Sequence, residues 1–149
     1  MLNAIAKKAH PKMHLSVPLA KRAMAKIFKR LRGDLSIDAI WNFATVEFQA
    51  ELSNAAEFPD EIDTKSNLWP KLSKEINASV GLECPLLDVH STEIGQLVGR
   101  RNKIAHGEKL EITDLTQFQK YEHAVLMVMH ELAIAVVKCL DEGSYLSNS

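Results

Sequence analysis

The 149-residue chain contains only two cysteines. Cys84 and Cys139 stand too far apart for a C-x-x-C pair or any metal-type spacing, which excludes a disulfide framework and a cysteine-built zinc site. A reducing compartment is the natural expectation. No apolar run approaches the roughly 18 residues of a membrane span, and the start has no signal-peptide core; a cytoplasmic protein away from membranes is therefore expected. There is no glycine-rich phosphate loop, no nucleophile elbow and no Asp-rich calcium loop. His130-Glu131-Leu132-Ala133-Ile134 begins like a metalloprotease helix, but Ile134 stands where the second zinc ligand must be. His10 and His14 are four apart, yet Pro11 lies between them and no cysteine or carboxylate is near in sequence to complete a ligand set. No metal and no cofactor are expected.

Acidic residues are also missing from one end. Residues 1–33 hold nine Lys or Arg and no Asp or Glu, so the other 116 residues carry nine basic against 19 acidic side chains. Such polarity fits a nucleic-acid-binding arm, with Lys21, Arg22, Lys26, Lys29 and Arg30 as its candidates. It fits equally a solvated helix face that pairs with the acidic remainder.

What the sequence does have is helical periodicity on an ordinary globular composition, 46% hydrophobic and 25% charged. Ser16 can cap a helix to about Arg32, and Ser36 one from Ile37 to about Glu57. A third is expected from about Trp69 to Val80. Ser91 or Thr92 can cap a fourth to His106, with Gly107 as its left-handed terminator. Thr113 can cap the last, from Asp114 to about Leu140. Residues 81–91 read as a loop, Asp60, Glu61 and Asp63 as a solvated acidic turn, and 143–149 as a frayed polar tail. The fold class is therefore all-α, a bundle of about five helices built on antiparallel hairpins, with the last two as the central pair. The domain reading is a basic helical segment over 1–33, a helical domain over 34–142 and the tail.

Trp41, Ala44, Phe48, Leu52 and Ala55 make an apolar stripe on the second helix. The last helix is apolar nearly all round from 124 to 140, which places it at the bundle centre or in a subunit interface. Glu51 and Glu122 interrupt these faces. His123 and His130 read as structural histidines.

Chemistry is left to residues 95–107. Arg101 falls within the stripe of Ile94, Leu97, Val98 and Ala105, so either the helix faces a cleft there or Arg101 has an anionic partner such as Glu122. Beside it lie Gly95, Gly99, Asn102 and His106. Two interior glycines weaken a helix and are tolerated where something approaches its backbone. They mark a candidate dimer interface. A guanidinium recognises phosphate bidentately, and an imidazole transfers protons near neutrality. The helix C-terminus favours a cation at His106. Arg101, Asn102 and His106 thus suit acid–base chemistry beside a phosphodiester, flanked by Arg100 and Lys103. The alternative is an Arg101–Glu122 pair with His106 only ending the helix.

The string Leu97-Val98-Gly99-Arg100-Arg101-Asn102-Lys103-Ile104-Ala105-His106-Gly107 resembles the signature of the HEPN superfamily: arginine, a polar residue that is often Asn, then histidine after four to six intervening positions. With "NLWPKLSKEINASVGL" (67–82) upstream and a long apolar helix downstream, it is similar to the small bacterial HEPN-like nucleases of the MAE-like or RiboL-PSP-like groups over about residues 35–142. The resemblance implies an α-helical domain that forms a two-fold homodimer and cuts RNA without a metal. Arg101 would hold the scissile phosphate, His106 would handle the proton and Asn102 would orient them. It further implies a metal-independent endoribonuclease leaving 2′,3′-cyclic phosphate ends, acting as a toxin or phage-defence effector with an antitoxin or defence partner. Some members have lost catalysis and serve as dimerisation or RNA-binding modules. Some toxin members carry a tyrosine two residues after the histidine, where this chain has Glu108.

Overall fold

The computed structural model of the protein describes residues 1–58, 67–109 and 114–147. The fold is all-α. Among the described residues the only extended pairings are isolated bridges, Pro11 with Ala55 and Leu15 with Leu146. The described chain divides into two compact units, one of residues 1–58, 79–81 and 138–147, the other of 67–78, 82–109 and 114–137. The acidic turn at Asp60, Glu61 and Asp63 and the cap at Thr113 lie outside the described residues.

In the first unit the helix expected over 16–32 is two helices, α2 (Val17–Ala23) and α3 (Ala25–Leu31), preceded by a short α1 (Leu2–Ala6). The break is Met24, held at φ −88° and ψ 0° with its side chain 1% exposed. The break falls at a fully buried residue and not at glycine or proline, so nothing local announces it. Ser36 caps α4 (Ile37–Asn42) as expected, its Oγ accepting from the Ala39 N–H at 3.2 Å. The helix then widens into a π turn over Phe43–Glu47 before α5 (Phe48–Ser53).

That turn corrects the expected stripe. The i→i+5 bonding of a π segment brings residues five apart into register: Asn42 donates to Glu47 at 2.8 Å, and the Phe43 and Phe48 rings meet edge-on at 5.8 Å. The buried side therefore carries Phe43 in place of Ala44, while Trp41 is 71% exposed. Lys12 is buried, and its Nζ donates to the Glu51 carbonyl at 3.1 Å and to its carboxylate at 3.4 Å, which explains the charge at 51.

The tail is not frayed over 143–147. Tyr145 is buried, its hydroxyl accepts from Lys8 Nζ at 2.8 Å, and its carbonyl accepts from the Ser16 N–H at 2.8 Å. One anchored aromatic outweighs the polar residues around it.

In the second unit α6 spans Pro70–Ser79, with Ser79 itself counted in the first. The expected loop at 81–91 contains α7 (Pro85–Val89), opened by Pro85. Its capping group comes from a distant helix: Glu131 Oε2 accepts from the Leu86 N–H and from Cys84 Sγ, both at 2.8 Å. Burial, reinforced by that hydrogen bond and the Glu131 charge, pushes the Cys84 thiol up to about 11. α8 spans Ser91–Ala105 and α9 Leu115–Asp141. Tyr121 of α9 donates to Gln96 of α8 at 3.1 Å, and Arg100 of α8 donates to Gln117 of α9 at 2.9 Å.

α9 departs most from expectation. Between 115 and 137 only Tyr121, Ala124 and Val128 are buried, whereas Leu115 is 70% exposed, Met129 61% and Ile134 57%. It is not enclosed at a bundle centre in this chain. Contrary to the reading of the runs, it is also long and apolar enough, by length and composition, to cross a membrane.

Candidate functional site

The site is built on the last turns of α8. His106 is the C-cap residue, its backbone N–H donating to the Asn102 and Lys103 carbonyls at 3.0 and 3.1 Å. Gly107 follows at φ +85°. Its N–H donates to the Ile104 carbonyl at 2.9 Å, and the Glu108 N–H donates to the Lys103 carbonyl at 3.0 Å. These two bonds are a Schellman closure, which needs the left-handed residue that glycine supplies. The result is a helix that stops at one defined place with the His106 side chain in solvent. Glu108 stands 4.0 Å from Lys103 across the turn.

At the other end of α8 the expected Ser91 or Thr92 cap is absent. His90 holds the N-cap position without a side-chain cap bond, and its ring meets that of His123 edge-on at 5.8 Å. His123 and His130 are both exposed, so neither is an enclosed structural histidine as the sequence reading expected, and the edge contact with His90 is what the structure gives His123.

Arg101 is exposed, so the stripe it interrupts is open at that point. Its Nη1 donates to Asn67 Oδ1 at 2.9 Å. The sequence reading offered Glu122 as partner; Asn67 holds the guanidinium, and Glu122 is exposed on α9. Asn67 is the residue the pattern missed, and it opens the 67–82 stretch. Asn102 is half-buried. Along an α-helix five residues advance about 7.5 Å and turn about 140°, so one α8 presents Arg101 and His106 on different sides.

The flanking cations divide. Arg100 is half-buried, bonded to Gln117 and stacked 5.7 Å over the Tyr121 ring. It is committed to joining α8 and α9. Lys103 is exposed. Together Gln96, Gly99, Arg100, Lys103, Gln117 and Tyr121 line a groove of about 350 Å³ that does not include Arg101 or His106.

The glycines differ from each other. A Cβ at Gly99 would stand 3.9 Å from the Trp69 ring, whereas at Gly95 it would meet nothing within 4 Å. Packing inside the chain does not demand glycine at 95.

The basic arm divides likewise. Arg22 donates to Ser79 Oγ at 2.9 Å, and Arg30 pairs with Glu47 at 2.9 Å. Lys21, Lys26 and Lys29 are exposed. Part of the arm therefore neutralises nearby acidic and polar groups, and part faces solvent. Among the described residues no three His, Cys, Asp or Glu side chains lie close enough together to hold a metal ion.

The fold is all-α, as that of HEPN domains is, and Arg101 and His106 stand exposed at the C-terminal end of α8. A family model described as HEPN_MAE_28990-like HEPN matches residues 2–145, and the chain belongs to that family. The match includes the basic segment at 1–33 as well as the 35–142 region of the resemblance. HEPN domains are commonly ribonucleases or RNA-binding modules. Neither curated proteins nor solved structures give a significant match.

Proposed function

We propose that the protein is a metal-independent endoribonuclease, a cytoplasmic toxin or phage-defence effector that acts on RNA as a homodimer. The observation that carries the reading is the end of α8, where Arg101 and His106 are both exposed and the Gly107 closure fixes the position of the histidine. Arg101, its guanidinium steadied by Asn67, binds the scissile phosphate and offsets the charge that builds on it. His106 exchanges the proton: as imidazole it accepts from the ribose 2′-hydroxyl, whose oxygen attacks phosphorus, and as imidazolium it donates to the departing 5′-oxygen. The bond from phosphorus to that oxygen breaks, giving a 2′,3′-cyclic phosphate and a 5′-hydroxyl. Asn102, one turn before His106, orients the pair.

The angular separation of Arg101 and His106 on one helix favours a cleft shared by two chains, in which Arg101 of one works beside the partner's His106. Gly95 supports that arrangement. A glycine in a helix costs about 1 kcal/mol relative to alanine, and no neighbour in the chain requires it, so close approach of a second backbone accounts for it. Lys21, Lys26 and Lys29, with Lys103, supply backbone contacts to RNA. The same separation suits a non-catalytic RNA-binding module as the second reading. Loss of RNA cleavage in an Arg101→Ala/His106→Ala variant with retained binding supports catalysis; equal binding without cleavage by either protein supports the module.

A further inference from the structure

The groove between α8 and α9 is, apart from Lys103, not used by the reading above. Gln96, Gly99, Arg100 and Lys103 line it from α8 and Gln117 and Tyr121 from α9. At about 100° per residue the four α8 residues lie within about 60° of Gln96. A Cβ at Gly99 would make only ordinary contact, 3.9 Å from Trp69, so glycine there leaves the groove open and relieves no clash. Lys103 and Gly99 stand about 4.5 and 10.5 Å before His106 along the helix axis and within about 60° of it around the helix. A ligand in the groove therefore lies beside the histidine.

The groove is lined by donors. Arg100 has no acceptor, so Gln117, which it bonds at 2.9 Å, turns its amide oxygen to the guanidinium and its NH2 group away. Tyr121 donates to the Gln96 oxygen at 3.1 Å, which orients that amide in the same sense. Among the described residues neither NH2 group has a partner. Two cations line the groove and no carboxylate does. Cations alone suit any phosphate, but two neutral amides add the directional contacts that read base edges. Guanine offers two acceptors, N7 and O6, on an edge without a donor; adenine sets its N6 amino group beside N7, cytosine presents the N4 amino group there, and uracil has only O4. In single-stranded RNA these edges are open to a protein.

We infer that the groove is a base-reading subsite for guanine, in which the Gln96 and Gln117 NH2 groups donate to N7 and O6 of the nucleotide next to the scissile phosphate while Lys103 meets its backbone. Arg100 and Tyr121 position the two amides. The inference deepens the ribonuclease reading and rests on it for the reaction that the subsite directs.

Short single-stranded oligoadenosines carrying one guanosine test it. Cleavage next to the guanosine should be about tenfold faster than between adenosines of the same strand. Replacing guanosine by 7-deazaguanosine, which lacks the N7 acceptor, should remove most of that preference, whereas inosine, which keeps N7 and O6, should retain it. Gln117→Glu keeps the oxygen that Arg100 binds and replaces the NH2 donor by an acceptor; with folding checked by circular dichroism, it should lower the ratio of guanosine to adenosine cleavage about fivefold or more. Cleavage at adenosine as fast as at guanosine, a 7-deazaguanosine strand cut like the guanosine strand, or an unchanged ratio in both Gln117→Glu and Gln96→Glu overturns the subsite and leaves the ribonuclease reading standing. If no strand is cut, that reading fails, and fluorescence anisotropy of the same strands decides the groove by itself: tighter binding of the guanosine strand that 7-deazaguanosine abolishes supports the subsite, and equal binding of all strands overturns it.

Discussion

Gly95 and Gly107 both have open space where a Cβ would stand, yet alanine at the two positions should change stability in opposite directions. Gly95 lies inside α8, so Gly95→Ala removes the backbone entropy that glycine loses on folding and should stabilise the isolated chain by about 0.5–1 kcal/mol. Gly107 sits at φ +85°, where an L side chain costs about 1–2 kcal/mol. The smaller unfolded-state entropy of alanine returns about 0.4–1 kcal/mol, leaving a net loss of about 1 kcal/mol. For a chain of this length each 1 kcal/mol moves the melting midpoint by about 2–4 °C. Urea unfolding at high dilution, with RNA cleavage measured on the same preparations, separates the effects. Gly107→Ala loosens the turn that fixes His106 and should lower both stability and cleavage. Gly95→Ala should raise stability and still lower cleavage, because the methyl obstructs approach of the second backbone. If Gly95→Ala destabilises the dilute chain, or leaves cleavage unchanged while stabilising it, the reasoning about that face fails.

Three further outcomes follow from single contacts. Ser36→Ala removes the α4 cap and should cost about 1 kcal/mol in urea unfolding. Because the Cys84 thiol is held near 11 against an ordinary 9.0, the unfolded chain loses that proton first as pH rises. The thiol's contribution is therefore fully present below pH 9 and is lost as pH climbs from about 9 to 11. At pH 8 Cys84 should react slowly with iodoacetamide in the folded protein, and faster in Glu131→Gln, which removes a neighbouring charge. Lys21→Glu/Lys26→Glu/Lys29→Glu, which breaks no ion pair among the described residues, should weaken RNA binding and flatten its salt dependence. A variant that loses stability with an unchanged slope would assign those lysines to the fold.

What could be read from the sequence was local. Ser36 and Gly107 mark helix ends because capping and left-handed closure are decided by a few adjacent residues, and the all-α class follows from periodicity over long windows. Features set by contacts distant in sequence were not legible. The break between α2 and α3 falls at the buried Met24, Glu131 caps α7 from 45 residues away, and Tyr145 anchors a polar tail. The π turn at 43–47 shifts the register by one residue, so a stripe counted at 3.6 residues per turn misassigns Phe43 and Ala44. At the site, Arg101, Asn102 and His106 were legible as candidates because they share one short helical segment, but one helix carries Arg101 and His106 about 140° apart. The Asn67 contact was not, because its register is fixed by tertiary packing across 34 positions. Arg100, which reads as an RNA contact, is half-buried against Gln117 and Tyr121.

The product ends of a defined single-stranded RNA, determined by mass spectrometry after incubation with the wild-type chain in excess chelator, decide the reaction. Attack by the 2′-hydroxyl under Arg101 and His106 predicts 2′,3′-cyclic phosphate and 5′-hydroxyl ends, formed by the wild type and lost in Arg101→Ala and in His106→Ala. Intact RNA, 5′-phosphate ends, or cleavage that appears only when magnesium is restored would contradict it.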